Sequence, residues 1–449
     1  MAQRRIVVVG GGISGLSAAL RLRDGLGPQA VITVVDQADR LGGKLRTRPL
    51  LDGYAEAGAE TFLTTDPAAV ELAERVGLGD ALRHPGTTQA ALAIDGELHP
   101  IPGGTLMGIP ADPRSVAEVA PVAAADPDEG RPLLAPGADV SVGALVRARL
   151  GEPVLDRLVD PLLGGVYAGR GDDLSLSATV PALAAACRTE PTLTGAVRAA
   201  LAARPAGGPR QIFATIDGGL SRLVDAVARA SGAEIRLGAP VGSLEPAGHG
   251  WRVGGLDADA VVLAVPARPA ARLLDPVSPQ AAAEVGALDY ASVALVTLAV
   301  RDAKLPELSG FLVPASQGYA VKALTIFTTK WAHLARPDGL AVLRASVGRY
   351  RDTGVLHRTD EDLAALVHAE LGALLGTPLP APELVRVDRW GGALPQYAPG
   401  HLDRVTRARA ELLGAQGIAL AGAAYDGVGV PACIRSGQAA AERLLDSMA

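Results

Sequence analysis

The sequence predicts an α/β fold built on a parallel, doubly wound sheet, and three observations predict it. First, Ile6-Val7-Val8-Val9 and Val31-Ile32-Thr33-Val34-Val35 are short β-branched runs without polar alternation, the pattern of parallel strands buried on both faces. Second, a glycine turn and a stretch of helical composition, Gly15 to Arg23, lie between them, which makes a βαβ unit. Third, buried-strand runs return far downstream. One is Ala260 to Val265. The other is Ile418 to Ala421, followed by a second glycine-rich turn and a helical run from Ala432 to Leu445. One domain is therefore expected from three separated pieces, residues 1–85, 211–275 and 395–449. The intervening stretches are expected as a small helical domain, 86–210, and an α+β domain with a substrate-binding sheet, 276–394.

Bulk properties agree with a large globular chain. At 449 residues, two or three domains are expected. Hydrophobic residues make up 49% and charged residues 20%, enough apolar surface for an ordered core. The net charge is −6 with no concentrated basic patch, which argues against a nucleic-acid partner. Only four lysines stand against 38 arginines, so a single arginine carries little information. Cys187 and Cys433 cannot form a disulfide framework and suit a reducing, cytoplasmic setting. The seven histidines lack metal-ligand spacing, and no metal is expected. No signal peptide is read at Met1 to Arg5, and apolar stretches such as Ala291 to Val300 are too short to span a bilayer. A peripheral membrane contact stays open. Ala125–Gly130 and Arg204–Pro209 are the expected linkers.

Gly10-Gly11-Gly12-Ile13-Ser14-Gly15 fits G-x-G-x-x-G. The first glycine allows the tight turn, the second lets backbone approach a pyrophosphate, and the third lets helix pack on strand. The helix N-terminus faces the phosphate charge. Asp36 ends the second strand, 21 residues after Gly15, where an acid accepts hydrogen bonds from ribose hydroxyls. A second block, Asp36-x-x-x-Arg40-x-Gly42-Gly43-Lys44, adds a paired glycine for close approach to a ligand. A third, Ala423-Ala424-Tyr425-Asp426-Gly427-Val428-Gly429-Val430-Pro431, runs a glycine turn into a helix, with Pro431 suited to its first turn. That N-terminus would stabilise negative charge on a reduced ring.

The acid-x-x-x-Arg-x-Gly-Gly block resembles the flavin-containing amine oxidase superfamily, which makes FAD the expected cofactor rather than NAD. Further markers resemble its oxygen-dependent porphyrinogen oxidase branch along nearly the whole chain. These are Gly58-Ala59-Glu60-Thr61-Phe62, Leu98-His99-Pro100-Ile101-Pro102, Pro161 to Gly169, Gly310-Phe311-Leu312-Val313-Pro314, Lys330-Trp331, and Pro395-Gln396-Tyr397 with His401. The match is nearest to the soluble coproporphyrinogen-type branch.

The resemblance implies roles residue by residue. Gly43, Lys44, Gly58, Ala59, Glu60 and Thr61 would line the FAD. Val241, in a strand-like stretch, would meet the adenine through its backbone. Trp390 would lie on the flavin side of the active site, with Ala423 and the Val428, Gly429 and Val430 backbone at the flavin. Gly164, Gly165, Phe311 and Leu312 would border the substrate. Cys433 is near enough to raise a thioether to flavin, although non-covalent FAD is expected. His401 is a candidate acid or base beside its reading as a buried core histidine. Membrane-bound relatives carry an arginine at the Gly164 position, so recognition of the substrate's carboxylates must come from elsewhere here. Lys44, Arg170 and Lys322 are the candidates.

The resemblance implies a six-electron oxidation of coproporphyrinogen III to coproporphyrin III in haem synthesis. Oxygen would be the acceptor, and no obligatory protein acid or base is required. Protoporphyrinogen IX is the alternative substrate. An amine oxidase or carotenoid desaturase on the same scaffold is more distant, since aromatics are only 3% and an aromatic cage is poorly supplied. A non-catalytic carrier is opposed by the intact Asp36 and Gly427-Val428-Gly429-Val430-Pro431. Transient contact with the next haem-pathway enzyme or the membrane surface remains open.

Overall fold

The computed structural model describes residues 3–204 and 211–448. All of the expected linker Arg204–Pro209 except Arg204 lies outside the described residues. The chain divides into two compact units.

The first comprises Met1–His84, Pro209–Asp289 and Leu402–Ala449. At its centre is a five-stranded parallel sheet in the order Glu234–Arg236, β2 (Val31–Val35), β1 (Arg5–Val9), Ala260–Leu263 and Ile418–Leu420. Side chains alternate across it. Ile6, Val8, Ile32, Val34 and Val262 join a core with the helices α1 (Ile13–Leu26), Ser221–Ser231 and Val430–Met448. Val7, Val9, Val261 and Leu263 are buried on the opposite face, where a three-stranded meander, Leu244–Ala247, Gly250–Val253 and Leu256–Ala258, packs against the sheet. Trp251 anchors the meander by donating its indole N–H to Gln416 O at 3.0 Å. A three-layer, Rossmann-type arrangement thus holds as expected, with a meander as its third layer.

The second unit comprises Pro85–Gly208 and Tyr290–His401. Its seven-stranded sheet runs Leu384–Pro395, Tyr290–Arg301, Leu340–Val347, Val321–Ile326, Gly310–Leu312, Ala90–Ile94 and Glu97–Pro100. All neighbours are antiparallel except Gly310–Leu312 beside Ala90–Ile94. The 86–210 stretch, expected as helical, therefore gives two strands to this sheet, because Ala91, Leu92, Ala93 and Ile94 are all buried there. The apolar run at Ala291 to Val300 is its long central strand. Helix Asp360–Leu374 covers one face through Leu363, Val367 and Leu371, and Thr359 Oγ1 caps it by accepting from Asp362 N at 3.1 Å. Ala125–Gly130, expected as a linker, lies inside this unit. Asp126 accepts from Leu193 N and Thr194 N, both at 2.9 Å, at the start of helix Leu193–Ala202. That capping role explains the acid in a turn-rich stretch.

The helical run around Gly164 has a cause in its sequence. Pro161 has no N–H to donate, and its ring crowds the carbonyl four residues back. The preceding turn, Leu155–Val159, widens to a π-turn before helix Asp160–Tyr167 resumes. The helix ends at Ala168, left-handed at φ 51°. Among the described residues, no helix is long and apolar enough to cross a membrane.

Candidate functional site

In the first unit, the glycine turn is shaped by contacts that no side chain would allow. Gly10 has φ 112° and donates its N–H to Val35 O at 2.8 Å. A Cβ at Gly15 would lie 1.9 Å from Gly10 O. A Cβ at Gly12 would meet nothing within 4 Å. That open space adjoins the start of α1, where Gly12 offers no side chain to cap the first N–H groups. Uncapped helix donors beside open space suit a phosphate, so the residues present fit a dinucleotide. Gly42 N donates to Gly11 O at 2.8 Å, and Arg40 holds the same loop through Leu41 O at 3.0 Å and Gly43 O at 2.7 Å.

Asp36 organises this cradle. Its Oδ2 accepts from Gly11 N at 2.7 Å and its Oδ1 from Ala38 N at 2.8 Å. A carboxylate has about four acceptor sites, so capacity remains for a ribose. Ala239 N donates to Asp36 O at 2.9 Å, which brings up the loop carrying Val241. Val241 lies in irregular chain before the Leu244–Ala247 strand, not in a strand.

Ser14, Lys44 and Cys433 meet at the other end of the cradle. Burial pulls the Lys44 ammonium below its ordinary value, and the Cys433 thiol nearby opposes this. Burial pushes the Cys433 thiol up, against the opposing effects of Ser14 and Lys44. A thiol whose ionisation burial opposes is a poor nucleophile, which argues against a thioether to flavin there. Ala59 N donates to Lys44 O at 3.1 Å, and Thr61 Oγ1 to Ala214 O at 2.8 Å, with Glu60 buried between them in sequence. The structure thus brings Lys44 and Ala59 together.

The C-terminal turn depends on residues the sequence did not flag. Asp426 accepts from Ser436 Oγ at 2.5 Å and pairs with Arg409 at 2.7 Å, while Ser436 Oγ accepts from Gly422 N at 2.9 Å. These bonds tie Gly422 and Asp426, on either side of Ala423, to helix Val430–Met448 and to Arg409. Gly429 is exposed, and a Cβ there would meet only Pro431 Cδ at 3.7 Å. A Cβ at Gly437 would lie 2.0 Å from Ser14 O, so this glycine sets how closely the last helix approaches α1. A glycine inside a helical run, which costs about 1 kcal/mol relative to alanine, is the signal that could have found it.

The expected substrate residues lie in the second unit. A Cβ on Gly165 would come within 3.4 Å of Leu312 Cδ2, so these two are neighbours. Phe311 alternates to the other side of its short strand and is 1% exposed, in the apolar core. Trp390 stands on Leu384–Pro395 opposite Val293, against a cluster that includes Ala168 and Tyr350. His401 is buried and stacked on Tyr397, ring centroids 4.3 Å apart, in keeping with a packing role.

Gly164 lines a small, partly enclosed cavity of about 20 Å³ together with Asp160, Pro161, Gly169, Arg170, Val313, Ala315, Lys322 and Arg349. Two of the three cations proposed from sequence therefore share one cavity, and Lys44 belongs to the dinucleotide cradle instead. Asp160 and Arg349 were not anticipated. Asp160 Oδ1 accepts from Gly171 N at 2.6 Å, and burial raises its carboxyl to about 6. Arg349 donates to Tyr319 O and Val313 O, both at 3.2 Å. Burial lowers it. Burial, with Arg349 alongside, pulls the Lys322 ammonium down to about 7.

Comparison with known proteins agrees with this geometry. The profile of the family described as flavin containing amine oxidoreductase matches residues 13–445. A Mycobacterium tuberculosis protein named coproporphyrinogen III oxidase is 39% identical, with 100% of this chain and 99% of that protein covered. One of the same name from Bacillus subtilis is 31% identical, covering 98% and 97%. A solved structure from Exiguobacterium sp. 255-15, named for protoporphyrinogen oxidase, superposes with a TM-score of 0.85 at 33% identity, covering 99% of each chain. With glycine turn, acid and C-terminal helix arranged for a dinucleotide, and a family match along almost its full length, the chain belongs to the flavin containing amine oxidoreductases, with FAD as its cofactor.

Proposed function

We propose that this protein oxidises coproporphyrinogen III to coproporphyrin III, with oxygen as the electron acceptor. The observation that carries the reading is likeness over the whole chain, both units included, to proteins bearing that name. FAD, when bound, supplies the two-electron oxidation chemistry, repeated three times per ring. The protein's own work is binding, orientation and exclusion. Gly10 to Gly15, Asp36, Gly43, Lys44, Gly58 to Thr61, Val241, Ala423 and Val428 to Val430 would hold the dinucleotide. Gly164, Gly165 and Leu312 would border the macrocycle. Trp390 would stand on the flavin side. No side chain is required as acid or base, which fits a buried His401 engaged in packing. The setting is cytoplasmic in this reading, with any membrane contact peripheral.

Protoporphyrinogen IX is the second reading, favoured by the name of the Exiguobacterium structure. Steady-state kinetics with both porphyrinogens, corrected for autoxidation, decide between them. A higher kcat/KM for coproporphyrinogen III is expected. A value at least as high for protoporphyrinogen IX would overturn the substrate choice and leave the flavin chemistry intact.

A further inference from the structure

The cavity lined by Gly164 holds three cations and one carboxylate, and its construction is specific. Lys322 sits at a β-bulge. Val321 pairs with Val347 and Ala323 with Ser346, so Lys322 is an extra residue toward that strand, while its carbonyl accepts from Val313 N at 2.9 Å on the other side. A bulge of this kind re-aims a side chain, and here it turns an ammonium into a site where it is 6% exposed. Among the described residues, no acceptor lies within hydrogen-bonding distance of that ammonium. Arg349 arrives from the turn after Leu340–Val347, which is tied to the end of the Asp160 helix by Tyr350 N donating to Ala168 O at 2.7 Å. Its guanidinium donates to backbone carbonyls, with Asp352 and Glu370 near enough to act on it through charge alone. Arg170 is exposed at the rim. Asp160, already bonded to Gly171 N, is the carboxylate lining the cavity with them, while Glu370 is held by Ala320 N and Val321 N behind the strand.

Burying an unpaired ammonium is costly, and placing it beside the Arg349 guanidinium adds repulsion. The arrangement becomes favourable once an anion enters. The open space among the cations is small, about 20 Å³, and takes the end of an anionic arm rather than a bulky group. A carboxylate on a flexible arm fits that description.

Resting on the substrate reading above, we propose that Lys322, Arg349 and Arg170 form a carboxylate subsite that receives one propionate arm of the porphyrinogen. Lys322 acts as the buried anchor, and Arg170 as the exposed member that guides the arm in.

The test is binding of the product, coproporphyrin III, and of its tetramethyl ester to the holoenzyme in detergent, read by porphyrin fluorescence. Lys322→Met and Arg170→Met are compared with wild type, the second guarding against a folding defect because Arg170 is exposed. A lost charge-assisted hydrogen bond predicts affinity for the acid reduced roughly tenfold to a hundredfold. The ester should bind both variants within about twofold of wild type, since it carries no charge to lose. In turnover, KM should rise by more than kcat falls. Added sodium propionate should compete with the acid on wild type and lose that effect in Lys322→Met. Equal losses for acid and ester, or none for the acid, would overturn the subsite. If wild type turns over coproporphyrinogen III while the variants bind the acid normally, this inference alone fails. If wild type oxidises no porphyrinogen, the substrate reading fails and takes the inference with it.

Discussion

The two units bind by opposite means. In the dinucleotide unit the candidate surface is backbone: glycines at 10, 15 and 42 let the turn close on itself, and those at 12 and 43 leave the helix end open to approach. In the second unit the candidate surface is side-chain charge, delivered by a helix, two loops and a bulged strand into one cavity. Backbone recognition suits a ligand of fixed shape, because N–H groups cannot reorient. Side-chain recognition suits a flexible, charged arm, because lysine and arginine can follow it. On the proposed reading, one chain would hold its cofactor rigidly and read its substrate by charge.

The largest expected effect tests the backbone half. Gly429→Leu should lower kcat/KM by roughly a hundredfold or more, since even small misplacement at a reacting centre costs that much. FAD absorbance and the thermal transition should stay close to wild type, because a Cβ at Gly429 meets no close neighbour but Pro431. Full activity would remove the C-terminal turn from the flavin site.

Next comes Asp36→Ala. Loss of hydrogen bonds to a carboxylate typically costs about 1.5–3 kcal/mol each. The FAD dissociation constant of the reconstituted apoprotein should rise accordingly. Because Asp36 also accepts from Gly11 N and Ala38 N, Asp36→Asn should recover part of the loss. An unchanged constant in a folded alanine variant would show that the acid serves the loop alone.

Lys322→Met tests the charge half through stability. The folded ammonium titrates near 7 and the ordinary one at 10.5, so the folded state holds fewer protons between these values. The destabilisation is therefore full below about pH 7 and fades as pH rises toward 10.5. Without substrate, the variant should melt several degrees above wild type at pH 6, with the gap shrinking by pH 9. A gap independent of pH would mean that the ammonium is already paired.

The smallest effect is expected of Cys433→Ala. With its thiol protonated and buried, replacement should leave FAD bound, and acid precipitation of wild type should release the flavin into solution. Flavin retained on the pellet would establish a covalent link.

The same contrast explains what could be read from the sequence. The first unit's site is written in runs of neighbouring residues. Gly10 to Gly15 sits between two β-branched strands, and Asp36 follows at the end of the second, so turn, helix and acid are all legible. Asp426, Ser436 and Arg409 escaped because their bonds are tertiary, and polar residues in a turn carry no pattern. The cavity was legible only in part. Arg170 and Lys322 could be named as charges in a chain with few lysines. Their meeting with Arg349 and Asp160 depends on strand order, on the π-turn before Pro161, and on a bulge that breaks the alternation by which strand faces are read. Phe311 and Leu312 show the same limit: both are apolar neighbours, and only the strand's facing decides which enters the core.

One residue of extra length, rather than a change of residue type, separates the Val321–Ile326 strand from a regular ladder. Deleting position 322 would let Val321 and Ala323 continue opposite Val347 and Ser346 and would remove the ammonium in the same event. Homologous chains can therefore gain or lose this cation by a single-codon insertion or deletion, at the cost of the one bond that Val313 N gives to Lys322 O. A gap-free alignment through this strand would set Lys322 against a residue that points elsewhere. Position-by-position comparison would then score a difference in chain length as a substitution.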